Sequence, residues 1–124
     1  MIERTFDYSL VEKMAQWKPV FSSKFIYLID NGLNLWAFRE YLDGLLICSG
    51  TDLDGRGKWV IESIRASFKW IFGNTDTSVI YAAIPTEEKG DCCKAVKSGM
   101  KFKYTKEKLD YYEVRGVEFL LNSI

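Results

Sequence analysis

Apolar residues in the first half of the chain form three short runs, and glycine-containing pairs separate these runs. The pairs are Asn31-Gly32 and Asp43-Gly44. Such pairs tolerate the positive φ that both central positions of a type I′ turn require. The pattern therefore predicts an antiparallel meander of three strands, over residues 24–30, 33–42 and 45–51.

A helical repeat then replaces the strand pattern. Apolar residues recur every three or four positions on one stripe, at Val60, Ile64, Phe68 and Ile71. We expect an amphipathic helix over residues 58–73, with Gly73 just past its end as the C′ residue. The next apolar run, residues 78–85, predicts a strand that Pro85 ends.

The two ends of the chain carry weaker patterns. They predict a strand over residues 2–6, a helix over 8–17, a second helix over 86–98 and a hairpin over 101–121. We expect the first of these helices to turn Leu10, Met14 and Trp17 inward. Thr86 is expected to cap the later one.

The resulting order is β-α-β-β-β-α-β-α-β-β, which predicts a single domain over residues 1–124. Its class is α+β, or mixed α/β, with a mostly antiparallel sheet. The strand, helix and strand in the middle form a βαβ unit, so its two strands should be parallel. A chain of 124 residues is long enough to bury a real core.

Composition narrows the function classes. Seventeen basic and 17 acidic residues give a formal net charge of zero, which argues against a surface built to bind nucleic acid or anionic lipid. The lysine-rich stretch 101–108 keeps a nucleic-acid contact as the lesser alternative to a solvated strand. No apolar run reaches about 18 residues, so we expect no membrane span.

The chain has three cysteines and no histidine. An odd number of cysteines, two of them adjacent, is not a disulfide framework, and a metal site is not expected. We therefore expect a cytoplasmic protein. Cys48, in an apolar strand, is predicted to be a small core residue. The lack of histidine also removes the commonest general base.

The stretch GTDLDGRGKWV, residues 50–60, is the clearest candidate for chemistry. Glycines before a helix let backbone N–H groups approach an anion closely. A nucleotide P-loop is disfavoured because Arg56 stands where the motif has lysine and Gly57 stands where it has a hydroxyl. A calcium loop is disfavoured because Ile61 occupies the position of the bidentate glutamate.

The element order and Gly55-Arg56-Gly57 resemble the GCN5-related N-acetyltransferase (GNAT) family, whose motif is [QR]-x-x-G-x-[GA]. The ending KSGMKF is similar to the helix end in that family. The resemblance implies a splayed parallel strand pair that binds acetyl-coenzyme A (acetyl-CoA). It implies that the backbone of Ile47, Cys48 and Ser49 lines the pantetheine arm. It also implies a pyrophosphate site at Asp52, Gly55, Arg56, Gly57 and Lys58.

Several positions depart from the family pattern. Asp52 stands where the family has glutamine or arginine, and with Asp54 it adds negative charge beside the phosphate position. Ala95 stands where many members have the tyrosine that protonates the leaving thiolate. The strand before the glycine loop has no carboxylate, and Glu40 and Asp52 are the nearest acids. The candidates to replace this tyrosine are Tyr81, Tyr104, Tyr111 and Tyr112, and the sequence does not choose between them.

Two functions of different class follow. The first is a GNAT-like protein with a degenerate acetyl-CoA site and an accessory or assembly role, similar to small GNAT-like late proteins of bacteriophages and then located in the host cytoplasm. The second is an active N-acetyltransferase that acts on an amine. The expected partner is a protein in the first case and a small amine in the second. Trp59 and Trp70, on one helix face, suggest a homo-oligomer interface.

Overall fold

A computed structural model describes residues 1–15, 18–32, 34–52 and 57–122, and for 49–52 and 57–58 it describes the backbone alone. Its strands are β1 (Ile2–Arg4), β2 (Phe25–Asp30), β3 (Asn34–Tyr41), β4 (Gly44–Asp52), β5 (Val79–Pro85), β6 (Lys101–Lys106) and β7 (Leu109–Arg115). Its helices are α1 (Tyr8–Met14), α2 (Gly57–Asn74), α3 (Lys89–Lys97) and α4 (Gly116–Leu121). Each helix in these ranges is too short or too polar to be a candidate transmembrane span.

The strands form a single sheet in the order β1-β2-β3-β4-β5-β7-β6. Neighbouring strands are antiparallel except for β4 and β5, which are parallel. The predicted class, the meander and the βαβ unit are therefore confirmed.

The parallel pair is short, and this determines where a site can form. Only Leu45 with Ile80 and Leu46 with Tyr81 are in register between β4 and β5. Beyond these pairs β4 continues to Asp52 and β5 continues to Pro85 without pairing to each other. The two strands therefore diverge, and a gap opens in the middle of the sheet.

The two predicted hairpin turns have different outcomes. Asn31 and Gly32 have φ of 53° and 72°, as a type I′ turn requires. In the second turn the loop residues are Leu42 and Asp43, and the positive φ of 49° falls on Leu42. Gly44 instead pairs with Tyr41 as the first residue of β4, so the predicted placement of this turn is wrong.

Gly44 is required by a close approach between β4 and β5. A Cβ at this position would lie 2.1 Å from the carbonyl oxygen of Val79 and 2.7 Å from its Cγ1. Such distances are far inside van der Waals contact. A glycine is therefore needed at the point where the two strands meet before they diverge.

Helices cover the two faces of the sheet unequally. The predicted stripe on α2 is buried against one face, with Val60, Phe68 and Ile71 at 2% exposure or less. The cluster that they form also includes side chains of α3 and α4. On the other face α1 buries Val11 and Met14 against β2 and β3.

The prediction for the inner side of α1 is only partly correct. Met14 is buried as expected, but Leu10 is 37% exposed, and Trp17 lies outside the described residues. The buried residues, Val11 and Met14, are three positions apart. A helix of only seven residues presents a narrow stripe to the sheet, and Leu10 is beside it.

Three further boundaries differ from the predictions. The helix α2 continues through Gly73 to Asn74, so Gly73 is not a C′ residue. The N-cap of α3 is Glu88, whereas the hydroxyl of Thr86 donates to Asp110 Oδ1 at 2.6 Å. The predicted terminal hairpin is correct for β6 and β7, but the chain then forms α4, which the pattern did not indicate.

Replacing Gly73 by alanine is expected to stabilise the protein by about 0.5–1 kcal/mol, because alanine loses less backbone entropy in a helix. A Cβ at Gly73 would have no neighbour within 4 Å, so no clash opposes this gain. Urea unfolding followed by circular dichroism measures the change. An unchanged or lower unfolding free energy would show that this end of α2 is not helical in solution.

Candidate cofactor cleft

A cleft of about 400 Å³ lies where β4 and β5 diverge. One wall consists of Val60, Ile64 and Phe68 of α2, and another consists of Asp91, Lys94 and Ala95 of α3. Ile47 and Cys48 line it from β4, and residues 82–85 line it from β5. The lining is mostly apolar, and backbone groups of the two unpaired strand segments border it. Such a cleft fits an extended ligand with amide groups along its length.

The first turn of α2 begins soon after β4 ends. The helix starts at Gly57, and β4 ends at Asp52. The N–H groups of a first helical turn have no intrahelical acceptor, and the helix dipole is positive at this end. Together with the adjoining cleft, the start of α2 offers a place for a negatively charged group at one end of an otherwise apolar ligand.

The structure shows the position of only some of the predicted site residues. Ile47 and Cys48 line the cleft directly. Ser49 and Asp52 belong to β4, while Gly57 and Lys58 are the first residues of α2. The side chains of these four are not described, and Gly55 and Arg56 lie outside the described residues. Their assignment to a pyrophosphate site therefore stays a prediction.

On the α3 side of the cleft only Ala95 was indicated by the sequence, and nothing in the sequence indicated Asp91, Lys94 or Trp36. Ala95 and Lys94 line the cleft, and Lys94 Nζ lies 3.8 Å from Asp91 Oδ1. Met100, which is 4% exposed, also lines it. Helical spacing on the short α3 could have indicated an inner face, but not which strands that face meets.

A buried polar network attaches α2 to β3 beside the cleft. The indole Nε1 of Trp36 donates to Ser63 Oγ at 2.8 Å, and Asn34 Nδ2 donates to the same oxygen at 3.3 Å. Ser63 is 3% exposed and Asn34 is 8% exposed. Buried hydrogen bonds of this kind fix geometry because breaking one leaves an unsatisfied polar group. The network therefore holds the first turns of α2 in a fixed position over β3.

Cys48 is exposed, so the prediction that it is a core residue is wrong. At this position β5 has diverged from β4, so no strand flanks Cys48 on that side. Protein atoms around the thiol still desolvate it partly, and this raises its pKa, with Arg39 opposing the shift. A raised pKa disfavours the thiolate, so Cys48 lacks the activation of a nucleophilic cysteine.

None of the four candidate tyrosines is among the residues that line the cleft. The rings of Tyr104 and Tyr111 stack on each other at 4.7 Å on the β6–β7 hairpin. Tyr112 is 4% exposed, and its burial raises the pKa of its hydroxyl. Tyr81 donates its hydroxyl to Asp43 Oδ1, outside the cleft. The exposed side chain of Glu40 is also not part of the lining.

The hydrogen bond to Asp43, together with partial burial, raises the pKa of Tyr81 to about 12. The same bond lowers the pKa of Asp43. Because the pKa of Tyr81 is above its unfolded value near 10, its contribution to stability is complete below pH 10 and is lost as the pH rises towards 12. For Asp43 the contribution is present above its ordinary pKa and is lost in acid.

We expect the ultraviolet difference titration of wild-type protein against Tyr81→Phe to show one tyrosine that ionises near pH 12. In the Asp43→Asn variant this ionisation should move towards pH 10, because the carboxylate acceptor is gone. A wild-type difference titration centred near pH 10 would contradict the bond between the two side chains.

Comparisons with known proteins bear on the fold. No protein-family model matches the chain, and no curated protein matches it in sequence. Among solved structures, a mutant form of the spermidine N-acetyltransferase SpeG from Vibrio cholerae aligns over 100% of this chain and 98% of its own, with a TM-score of 0.76 and 10% identity.

Two further structures align over less of the chain. The N-acetyltransferase PseH from Campylobacter jejuni, in complex with acetyl coenzyme A, aligns over 76% of this chain and 70% of its own, with a TM-score of 0.64 and 7% identity. A GNAT-family acetyltransferase from Bacillus anthracis aligns over 76% of this chain and 67% of its own, with a TM-score of 0.64 and 17% identity. The chain therefore has the fold of the GNAT-family acetyltransferases.

Proposed function

We propose that the protein binds acetyl-CoA in the cleft between β4 and β5 and that it serves as an accessory or assembly factor rather than as an efficient acetyltransferase. The observation that carries the proposal is the open cleft of about 400 Å³ at the point where two parallel strands diverge. PseH, which has a similar fold, binds acetyl coenzyme A.

The residues around the cleft fit such a ligand. Unpaired backbone groups of β4 and β5 offer hydrogen bonds to the two amides of a pantetheine arm, and Val60, Ile64 and Ile84 offer apolar contact. In this proposal the pyrophosphate lies at the first turn of α2, where Gly57 permits close approach. Bound acetyl-CoA would supply an activated thioester.

We expect a degenerate site because negatively charged residues stand next to the proposed position of the negatively charged phosphates. Asp52 and Asp54 precede the helix that would receive the phosphates, and two unit charges about 4 Å apart interact by about 4 kcal/mol near a protein surface. Arg56 and Lys58 offset part of this repulsion in the proposal. We therefore expect weaker binding than a motif with glutamine or arginine at position 52 would give.

The described lining of the cleft also lacks suitable groups for proton transfer. Its ionisable side chains are Cys48, whose pKa is raised, and Asp91 and Lys94, which lie close to each other. Ala95 provides no hydroxyl. A positioned general acid or base contributes roughly 10²–10⁴-fold to a rate. We propose the accessory role because, in the described lining, position 95 carries no hydroxyl and the carboxylate of Asp91 is paired with Lys94.

The proposals for the origin of the protein, its compartment and its partner rest on the sequence resemblance alone. The similarity to small GNAT-like late proteins of bacteriophages supports a phage origin, the host cytoplasm as compartment and a protein partner. A homo-oligomer also stays a proposal. Trp59 is 65% exposed, but Trp70 is half-buried against the core, so the two do not form one exposed stripe.

An active N-acetyltransferase is the second candidate, and the open cleft favours it because orientation of two reactants alone can provide much of a rate. The structural similarity to spermidine N-acetyltransferases suggests an amine as acceptor. Under this alternative the protein releases free thiol from acetyl-CoA when a polyamine is present.

A thermal-shift titration with acetyl-CoA, combined with a thiol-release assay, tests both candidates. Ligand at about 100 times its dissociation constant adds about 2.7 kcal/mol of stability. Stabilisation without thiol release in the presence of spermidine supports the accessory role, and stabilisation with release supports the enzyme. No stabilisation at millimolar acetyl-CoA would reject both candidates.

A further inference from the structure

A second cavity, of about 330 Å³, lies at the β1 edge of the sheet beside the start of α1. It is separate from the acetyl-CoA cleft because β3 lies between the strands that line it and β4. Its walls combine Arg4 with five aromatic side chains, Phe6, Tyr8, Phe21, Phe25 and Tyr27. No function described above uses these residues.

The aromatic wall is a packed structure. The rings of Tyr8 and Phe21 stack at 4.1 Å, and Phe21 and Phe25 each lie about 6 Å from Tyr27. The hydroxyl of Tyr27 donates to the carbonyl oxygen of Val20 at 2.8 Å and accepts the N–H of Val20 at 3.1 Å. These two bonds attach the segment that carries Phe21 to β2.

The charged member of the cavity is Arg4. Its guanidinium lies over the ring of Phe6, 4.6 Å from the centroid. Among the described residues its buried Nε–H has no hydrogen-bond acceptor, and none of their carboxylates forms a salt bridge with it. The lining of the cavity contains no aspartate or glutamate. An arginine that lines a cavity and has no carboxylate partner favours an anion there, because an anion can accept charge-assisted hydrogen bonds from the guanidinium.

We propose that this cavity binds a small aromatic carboxylate. The ring of the ligand would pack against Tyr8 and Phe21, while its carboxylate accepts hydrogen bonds from the guanidinium of Arg4. Arginine and carboxylate match in plane and spacing, and aromatic faces favour a planar partner. The charge of Arg4 disfavours a cationic amine in this cavity, so the proposed ligand differs from the amine that an acceptor site would take.

The test uses 2-naphthoate as the probe and 2-naphthalenemethanol as its uncharged match, with binding followed by ¹H–¹⁵N NMR on the full chain. We expect 2-naphthoate to bind with a dissociation constant of about 1 mM or tighter. Shifts should centre on the amides of residues 4–8 and 21–27. The alcohol should bind about tenfold more weakly, because it cannot form charge-assisted bonds to Arg4.

The Arg4→Gln variant removes the charge and keeps a polar side chain. It should weaken 2-naphthoate about tenfold and leave the alcohol unaffected, while stabilisation by acetyl-CoA at the separate cleft stays as in wild type. Equal binding of the acid to wild type and variant, absence of binding, or shifts confined to the cleft would overturn the proposal. If the variant does not fold, equal affinity of wild type for acid and alcohol overturns it.

Discussion

Replacing Ala95 by tryptophan is expected to abolish the stabilisation of the protein by acetyl-CoA. Ala95 is 6% exposed, belongs to α3 and lines the cleft together with residues 82–85 of β5. An indole at this position would extend into the cleft and would occupy the proposed path of the pantetheine arm. The expected loss is the whole of the thermal shift, about 2.7 kcal/mol at ligand concentrations near 100 times the wild-type dissociation constant. Differential scanning fluorimetry with and without ligand measures it.

Val96→Trp is the matched control, because it adds the same ring one position further along α3. Val96 is 55% exposed and is not part of the cleft lining, so this variant should keep the full shift. Ala95→Trp is also expected to lose about 1–3 kcal/mol of intrinsic stability through overpacking, which the ligand-free scan measures separately. Undiminished stabilisation of a folded Ala95→Trp protein would place acetyl-CoA somewhere other than this cleft.

The second large effect is expected from Gly44→Ala. The added methyl group would meet the carbonyl oxygen of Val79 at 2.1 Å, and a backbone atom cannot move aside as a side chain does. The main chain of β4 or β5 must shift, which we expect to cost about 3 kcal/mol and roughly 10 °C in Tm. The shift occurs beside Leu45 and Leu46, which form the whole registered contact between the strands.

Because these residues set the angle at which the strands diverge, Gly44→Ala should also weaken acetyl-CoA binding in whatever fraction remains folded. The control is Gly73→Ala, the same chemical change at a glycine with open space around it. Similar unfolding free energies for the two variants would contradict the close approach of β4 and β5.

Sequence periodicity was sufficient for much of the fold. The stripe on α2 and the Asn31-Gly32 turn are local features, because each depends on residues that are close together in the sequence. The meander and the parallel pair follow from short connections and from the crossover rule. These parts were predicted correctly because local and tertiary preferences agree in them.

Other features depend on contacts between residues that are distant in sequence. The sequence pattern places Gly44 in a turn, because nothing near it in the chain indicates the approach of Val79. The pattern of GVEFLL predicts a strand, but the chain forms α4 there. The ring centroid of Phe119 lies 5.9 Å from that of Phe68 and 5.8 Å from that of Phe72. A helix of only six residues depends on tertiary packing more than on its own helix propensity, so the sequence of this segment could not indicate it.

The candidate cleft was predictable in outline, and its lining was predictable only in part. The expected gap between the strands at 45–51 and 78–85 is present, and Ile47 and Cys48 line it. Burial of Cys48 was predicted wrongly because an apolar strand normally has a neighbour on each side, and here β5 has diverged. The contribution of α3 depends on the angle at which that helix packs against the sheet. The local sequence pattern does not predict this angle.

The brief contact between β4 and β5 has a consequence for the kinetics of folding. The pairs β2–β3, β3–β4 and β6–β7 join strands next to each other in the chain, so their loops close at low entropic cost. The pairing of β4 with β5 at Leu45 and Leu46 joins strands that are separated in the sequence by the whole of α2. This pairing consists of only two residue pairs. Association of the two halves of the sheet is therefore expected to be the slow step, and the cleft takes shape only when it is complete.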